Sequence, residues 1–128
     1  MLKHTNPKSI APPVGRYSHS VEVPPNARWL YMAGQVGVKP DGSIADGFEA
    51  QADQAWRNMQ AILESAGMGL GDLVRITYYL TDAANVAIAR TVRDRFIKDP
   101  PPASTLVVIK GLATPALLFE VEGVAAKA

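Results

Sequence analysis

The sequence predicts an α+β domain in which a single mixed β-sheet carries two helices on one face. Three observations lead there. Apolar residues recur at every second position in the β-prone segments, but at three- and four-residue steps from Phe48 to Ala66 and again after Asp82. The order of elements is therefore strands, helix, strand, helix, strand, strand. Each helix has only one apolar stripe to bury, and one sheet face accommodates both.

Taken in order, Tyr17–Val23 is short and β-prone, and Trp29–Gly34 (WLYMAG) is the next strand, with Pro24 to Arg28 forming a hairpin between them. Lys39-Pro40-Asp41-Gly42 has turn chemistry, with glycine supplying a positive φ. Phe48, Ala52, Ala55, Trp56, Met59, Ile62, Leu63 and Ala66 form one helical stripe, and Gly67 stands at its C-terminal cap. Val74–Leu80 is rich in β-branched and aromatic side chains and reads as a strand. Thr81-Asp82 offers an N-cap to a second helix reaching about Ile97, with Val86, Ala89, Val92, Arg93 and Phe96 on its stripe. Ser104–Ile109 and Leu117–Val124 are the closing strands. The sheet face away from the helices stays uncovered in one copy, so self-association is expected.

At 128 residues the chain is a single domain, residues 1–128, large enough to bury roughly two-thirds of its unfolded surface. Residues 1–10, MLKHTNPKSI, are expected to be poorly ordered or peripheral, and they hold no apolar core for a secretory signal. No apolar run approaches membrane-spanning length, so a cytoplasmic location and no membrane partner are expected. The net charge of +1 provides no field for nucleic acid. The absence of cysteine removes disulfides, thiolate nucleophiles and cysteine zinc sites together. His4 and His19 are too isolated to suggest a metal site, and His19 reads as an ordinary strand residue.

Nucleophile and phosphate-binding signatures are missing. There is no GxSxG elbow, and Gly67-Met68-Gly69-Leu70-Gly71 lacks the lysine of a phosphate loop. What remains is a pair of acids on the last strand. Glu120 and Glu122, two apart, share one face, opposite Phe119 and Val121. A glutamate in such apolar company can orient a water or shuttle a proton. The two acids can equally pair with basic residues at a subunit interface, and the residues alone leave both readings open.

Six segments in order resemble one family. They are Gly15-Arg16-Tyr17-Ser18 (family G-P-Y-S), Gly34-Gln35 (S-G-Q), the Gln51–Gly67 helix with its E-x-A-G ending, Val74–Asp82, Pro102-Ala103, and Phe119–Ala125 (I-E-I-E-A-I-A). The chain resembles the RidA/YjgF family of reactive-imine deaminases, once also described as endoribonucleases. The resemblance spans about Ala11 to Ala125.

It implies a chorismate-mutase-like fold, a homotrimer and three inter-subunit clefts binding a small molecule, with no metal or organic cofactor. It also implies that Glu120 positions the hydrolytic water, while Tyr17 and Gly34 bound the substrate. The family's carboxylate-binding arginine is Ser104 here, with Thr105 beside it, and Ala33 replaces a serine before Gly34. A guanidinium–carboxylate pair uses charge-assisted bonds worth about 1.5–3 kcal/mol each, which serine cannot match. Arg90, where active members place an asparagine facing the cleft, is a candidate substitute. The other reading is a solvated or inter-subunit salt-bridged arginine on a helix that bears three, and Arg16 is a second basic candidate.

The expected function is hydrolysis of a small imine or enamine to a carbonyl compound and ammonia. The alternative, favoured by Ser104, is a non-catalytic ligand-binding or protein-stabilising trimer. RNA cleavage is the least favoured, for want of charge and of a catalytic histidine constellation.

Overall fold

The computed structural model describes residues 1–128 as a four-stranded mixed sheet with two helices against one face. A two-stranded ribbon lies beside it. In chain order the elements are β1 (Lys3–Thr5), β2 (Ser20–Glu22), β3 (Arg28–Val36), α1 (Phe48–Ser65), β4 (Leu73–Leu80), α2 (Val86–Phe96), β5 (Ala103–Val108) and β6 (Phe119–Lys127). The main sheet runs β3-β6-β4-β5. β6 is antiparallel to both neighbours, whereas β4 and β5 are parallel because α2 crosses between them.

Burial alternates along β6 and β4 as half-covered strands require. Phe119, Val121 and Ala125 join Ile76, Tyr78 and Leu80 under the helices, while Glu120, Glu122, Arg75, Thr77 and Tyr79 point to the open face. Trp56 anchors the helix side. It is fully buried, stacks on Phe96 of α2 at 5.8 Å and meets Tyr78 edge-on at 5.9 Å. Side chains of this size contribute about 1.5–3 kcal/mol each when buried, so the stripe read from the sequence is the core itself. Gly67 closes α1 at φ 70°, with its N–H donating to Glu64 and the Met68 N–H to Leu63, as the cap reading required.

Four expectations change. The hairpin between Tyr17–Val23 and the next strand does not form: β2 pairs with β1, and β3 pairs with β6. Pro24 and Pro25 bring no N–H donors to extend a ladder from β2 toward β3. The first residues are not frayed, because β2 takes them as its partner. Lys3–Thr5 pairs with Ser20–Glu22, and Asn6 Oδ1 accepts from the His19 backbone N–H at 2.8 Å, so this segment is peripheral but paired. His19 lies in the bend before β2 rather than in a strand. The second helix starts later than expected, because Asp82 accepts from Ala84 N–H and caps a 3-10 turn, Ala83–Asn85, ahead of α2.

Candidate functional site

Glu120 rests in a prepared seat. Between Met32 and Gln35 the register of β3 against β6 slips, and this irregularity places Gly34 beneath the Glu120 side chain. A Cβ on Gly34 would overlap the carboxylate and come 2.7 Å from its carbon. Gly34 lies outside the positive-φ residues, so the glycine is required for space and not for backbone freedom.

Helix α1 fixes both walls of the seat. Buried Gln51 donates to the Ala116 carbonyl and accepts from the Leu118 N–H, both at 2.9 Å, which sets the entry into β6. Asn58 donates to the Val36 and Val38 carbonyls and holds the end of β3.

The carboxylate itself has no hydrogen-bond or ion-pair partner within the chain. Its pKa is raised, first by partial burial and then by the charge of Glu122. A carboxylate with a raised pKa is, once ionised, a better proton acceptor than an ordinary one. Glu122 is different in kind: it accepts the Tyr79 hydroxyl at 2.5 Å, which raises the tyrosine's pKa. Within the chain neither acid pairs with a base. Beside them Tyr31, Arg75, Thr77, Glu122 and Val124 outline an open pocket of about 210 Å³. Arg75 crosses the face and donates to Thr105 Oγ1 at 3.1 Å.

A second cluster forms at the far end of β5. The Ser18 hydroxyl and N–H bond to the Pro101 and Pro102 carbonyls at 2.6 and 3.0 Å, which ties the Gly15–Ser18 segment to the start of β5. Gly15, Arg16, Tyr17, Arg93, Asp94 and Asp99 line an open pocket of about 540 Å³ there. Ser104 pairs in register with Ile76 and so faces the helices, next to Tyr78. The Tyr78 hydroxyl is buried without a hydrogen bond of acceptable geometry. Burial pushes its pKa up to about 12, against smaller opposing effects of the nearby Ser104 and Arg93.

The predicted site residues thus fall into two groups. Glu120, Gly34 and Thr105 share the open face, whereas Tyr17 and Ser104 belong to the second cluster. Ser104 aligns with Ile76 and Glu120 with Tyr79, three residues further along β4 and on the opposite face. Arg90 stands on the exposed side of α2, outside both pockets, and makes no ion pair. Arg16 is occupied by Asp94 at 3.2 Å and Asp99 at 2.9 Å.

Sequence reasoning passed over Arg93, which lines the second pocket. It is the one buried charged side chain of the molecule. The signal was present in its position on the apolar stripe of α2, where a charge needs a reason. No group of three or more histidine, aspartate or glutamate side chains is arranged to hold a metal ion, and no helix is long and apolar enough to cross a membrane.

The sequence profile of the family described as Endoribonuclease L-PSP matches residues 8–127. A RutC family protein of Aquifex aeolicus is 36% identical over 118 residues, spanning 90% of this chain and 91% of the relative. A 2-iminobutanoate/2-iminopropanoate deaminase of Dermatophagoides farinae is 28% identical over 106 residues, 80% of each chain. Among solved structures, YyfB of Yersinia pestis, described as a protein of unknown function of the conserved Rid family, superposes with a TM-score of 0.89. It is 30% identical, and the match covers 98% of both chains.

Proposed function

Since the chain belongs to the Endoribonuclease L-PSP family of Rid and YjgF proteins, we propose that it is a deaminase hydrolysing a small reactive imine or enamine to a carbonyl compound and ammonia. The observation that carries the reading is Glu120: a carboxylate free of partners, raised in pKa and seated over a glycine on an exposed sheet face. Glu120 takes a proton from water as the oxygen adds to the imine carbon, and returns that proton to the nitrogen. The resulting carbinolamine expels ammonia as its hydroxyl becomes the carbonyl. The imine carbon is electrophilic already, so the protein contributes a placed water, a proton acceptor and a shaped cleft.

The cleft is completed by a second copy of the chain. Glu120 and Gly34 lie on the open face, while Tyr17 and Ser104 lie at the other end and on the helix side, so one chain does not bring them to one substrate. Exposed Trp29 and Tyr31, stacked at 6.4 Å on that open face, give a neighbouring copy apolar surface to cover. In a homotrimer, Glu120, Gly34 and Thr105 of one copy would face Tyr17, Ser104 and Arg90 of the next, in the cytoplasm.

Ser104 favours one other reading, a trimer of the same kind that binds small ligands or stabilises proteins without turnover. Ammonia release from freshly generated 2-imino acids separates the two. Release above the spontaneous rate that disappears in Glu120→Gln supports the deaminase. Release at the spontaneous rate for every imine tried, neutral ones included, supports the binder.

A further inference from the structure

We propose that Arg93 is the carboxylate anchor of this chain, presenting the free edge of a buried guanidinium to the pocket beside Tyr17. The inference rests on the deaminase reading for its ligand class, a small 2-imino acid or the 2-oxo acid formed from it.

Arg93 is 7% exposed, and burying a guanidinium requires that its donors be used. Asp94 uses only some of them. Its Oδ1 accepts from both Nε and Nη2 of Arg93 at 3.0 Å, and from Nε of Arg16 at 3.2 Å. Asp94 therefore grips one edge of the Arg93 fork and leaves Nη1 without a partner. That nitrogen points to the Gly15 wall of the pocket, 4.0 Å from where a Cβ on Gly15 would stand, with the Tyr17 ring next along the same wall.

Arg16 is not equivalent, because Asp94 and Asp99 both hold it. Beneath the wall the Tyr78 hydroxyl is buried without a hydrogen-bond partner of its own, close to Arg93 and Ser104. The free Nη1 thus stands near the position from which β5 presents only a serine. Two arginines here face two aspartates, so the cluster is balanced in charge before a ligand arrives. Recognition then depends on the planar N–H geometry rather than on net field, which suits a single carboxylate.

The test is calorimetric titration of the full chain with 2-oxobutanoate and with its neutral analogue 2-oxobutanamide. Wild type is expected to bind the acid about tenfold to a hundredfold more tightly than the amide, the worth of a charge-assisted pair. Arg93→Gln is expected to level the two while leaving amide affinity within about twofold.

A preference that survives Arg93→Gln overturns the proposal. So does equal weakening of both ligands, which would mark a merely structural residue, or the absence of any preference in wild type. Levelling by Arg90→Gln in place of Arg93→Gln would move the anchor to Arg90 and overturn it too. Should Arg93→Gln fail to fold, Arg93→Lys carries the test. Its single donor is expected to cut the preference by about fivefold or more, and an undiminished preference overturns the assignment. The deaminase reading fails separately, through ammonia release that does not depend on Glu120.

Discussion

Gly34→Ala puts the seat of Glu120 under direct strain. The added methyl would overlap the carboxylate and stand 2.7 Å from its carbon and 3.1 Å from Cγ, so the side chain must rotate away. Its backbone is not in the left-handed region, so alanine brings no conformational penalty of its own. The stability cost is then that of one displaced side chain, about 0.5–1.5 kcal/mol, or roughly 2–8 °C in Tm for a domain of this size.

The activity cost is larger, because misplacing a reacting group by about 1 Å loses on the order of 10²-fold. Turnover of 2-imino acids should therefore fall about a hundredfold in kcat, with KM little changed. A double-mutant cycle isolates the cause. In a Glu120→Ala background there is nothing left to displace, so Gly34→Ala should cost almost no further stability or activity. Wild-type turnover in Gly34→Ala, or an equal loss of Tm in both backgrounds, would refute the reasoning.

Other expectations follow from the same groups. Glu122 contributes to the raised pKa of Glu120, so Glu122→Gln should move the acid limb of the pH–rate profile to lower pH; a limb that stays in place contradicts the coupling. The folded chain holds the Glu120 proton more tightly than the unfolded one. Stability is therefore lost as pH rises from the ordinary carboxylate range through the raised folded value. Glu120→Gln should accordingly melt above wild type at pH 7 and level with it at pH 3, and a lower Tm at pH 7 would contradict the shift. Sedimentation should give about three times the 13.7 kDa chain mass, and a mass of one chain would remove both the oligomer and the shared cleft.

Much of this was legible in the residues themselves. The period change after Phe48 marked α1, Gly67 marked its end, and the two-residue spacing of Glu120 and Glu122 placed both acids on the open face. These features are local, and local periodicity survives folding. The partners of strands are not local. Pro24 and Pro25 disfavour a local hairpin, but nothing between Tyr17 and Gly34 reveals that β3 would pair with the distant β6 or that the first residues would occupy β2.

The site was legible to the same degree. Glu120 stood out as an acid among apolar residues, whereas Gly34 was expected only to bound the substrate, and its place beneath the Glu120 side chain follows from the slip of β3 against β6. Arg93 and Arg90 share a helix three residues apart. Which of them turns inward depends on the phase of α2 against β4 and β5, and on Asp94 and Tyr78 waiting there. A charge within the stripe was the available clue, and it weighed less than the candidate cleft position of Arg90.

Mixing two inactive variants asks most directly whether Glu120 of one copy works with Tyr17 of another. Glu120→Gln and Tyr17→Ala chains, each inactive alone, are unfolded together, refolded as an equal mixture and assayed for ammonia release. If each cleft joins two copies, about a quarter of the sites in a random mixture are wild type in both halves, and about a quarter of wild-type activity returns. If both residues act within one chain, no site is intact and no activity returns, which would contradict the shared cleft.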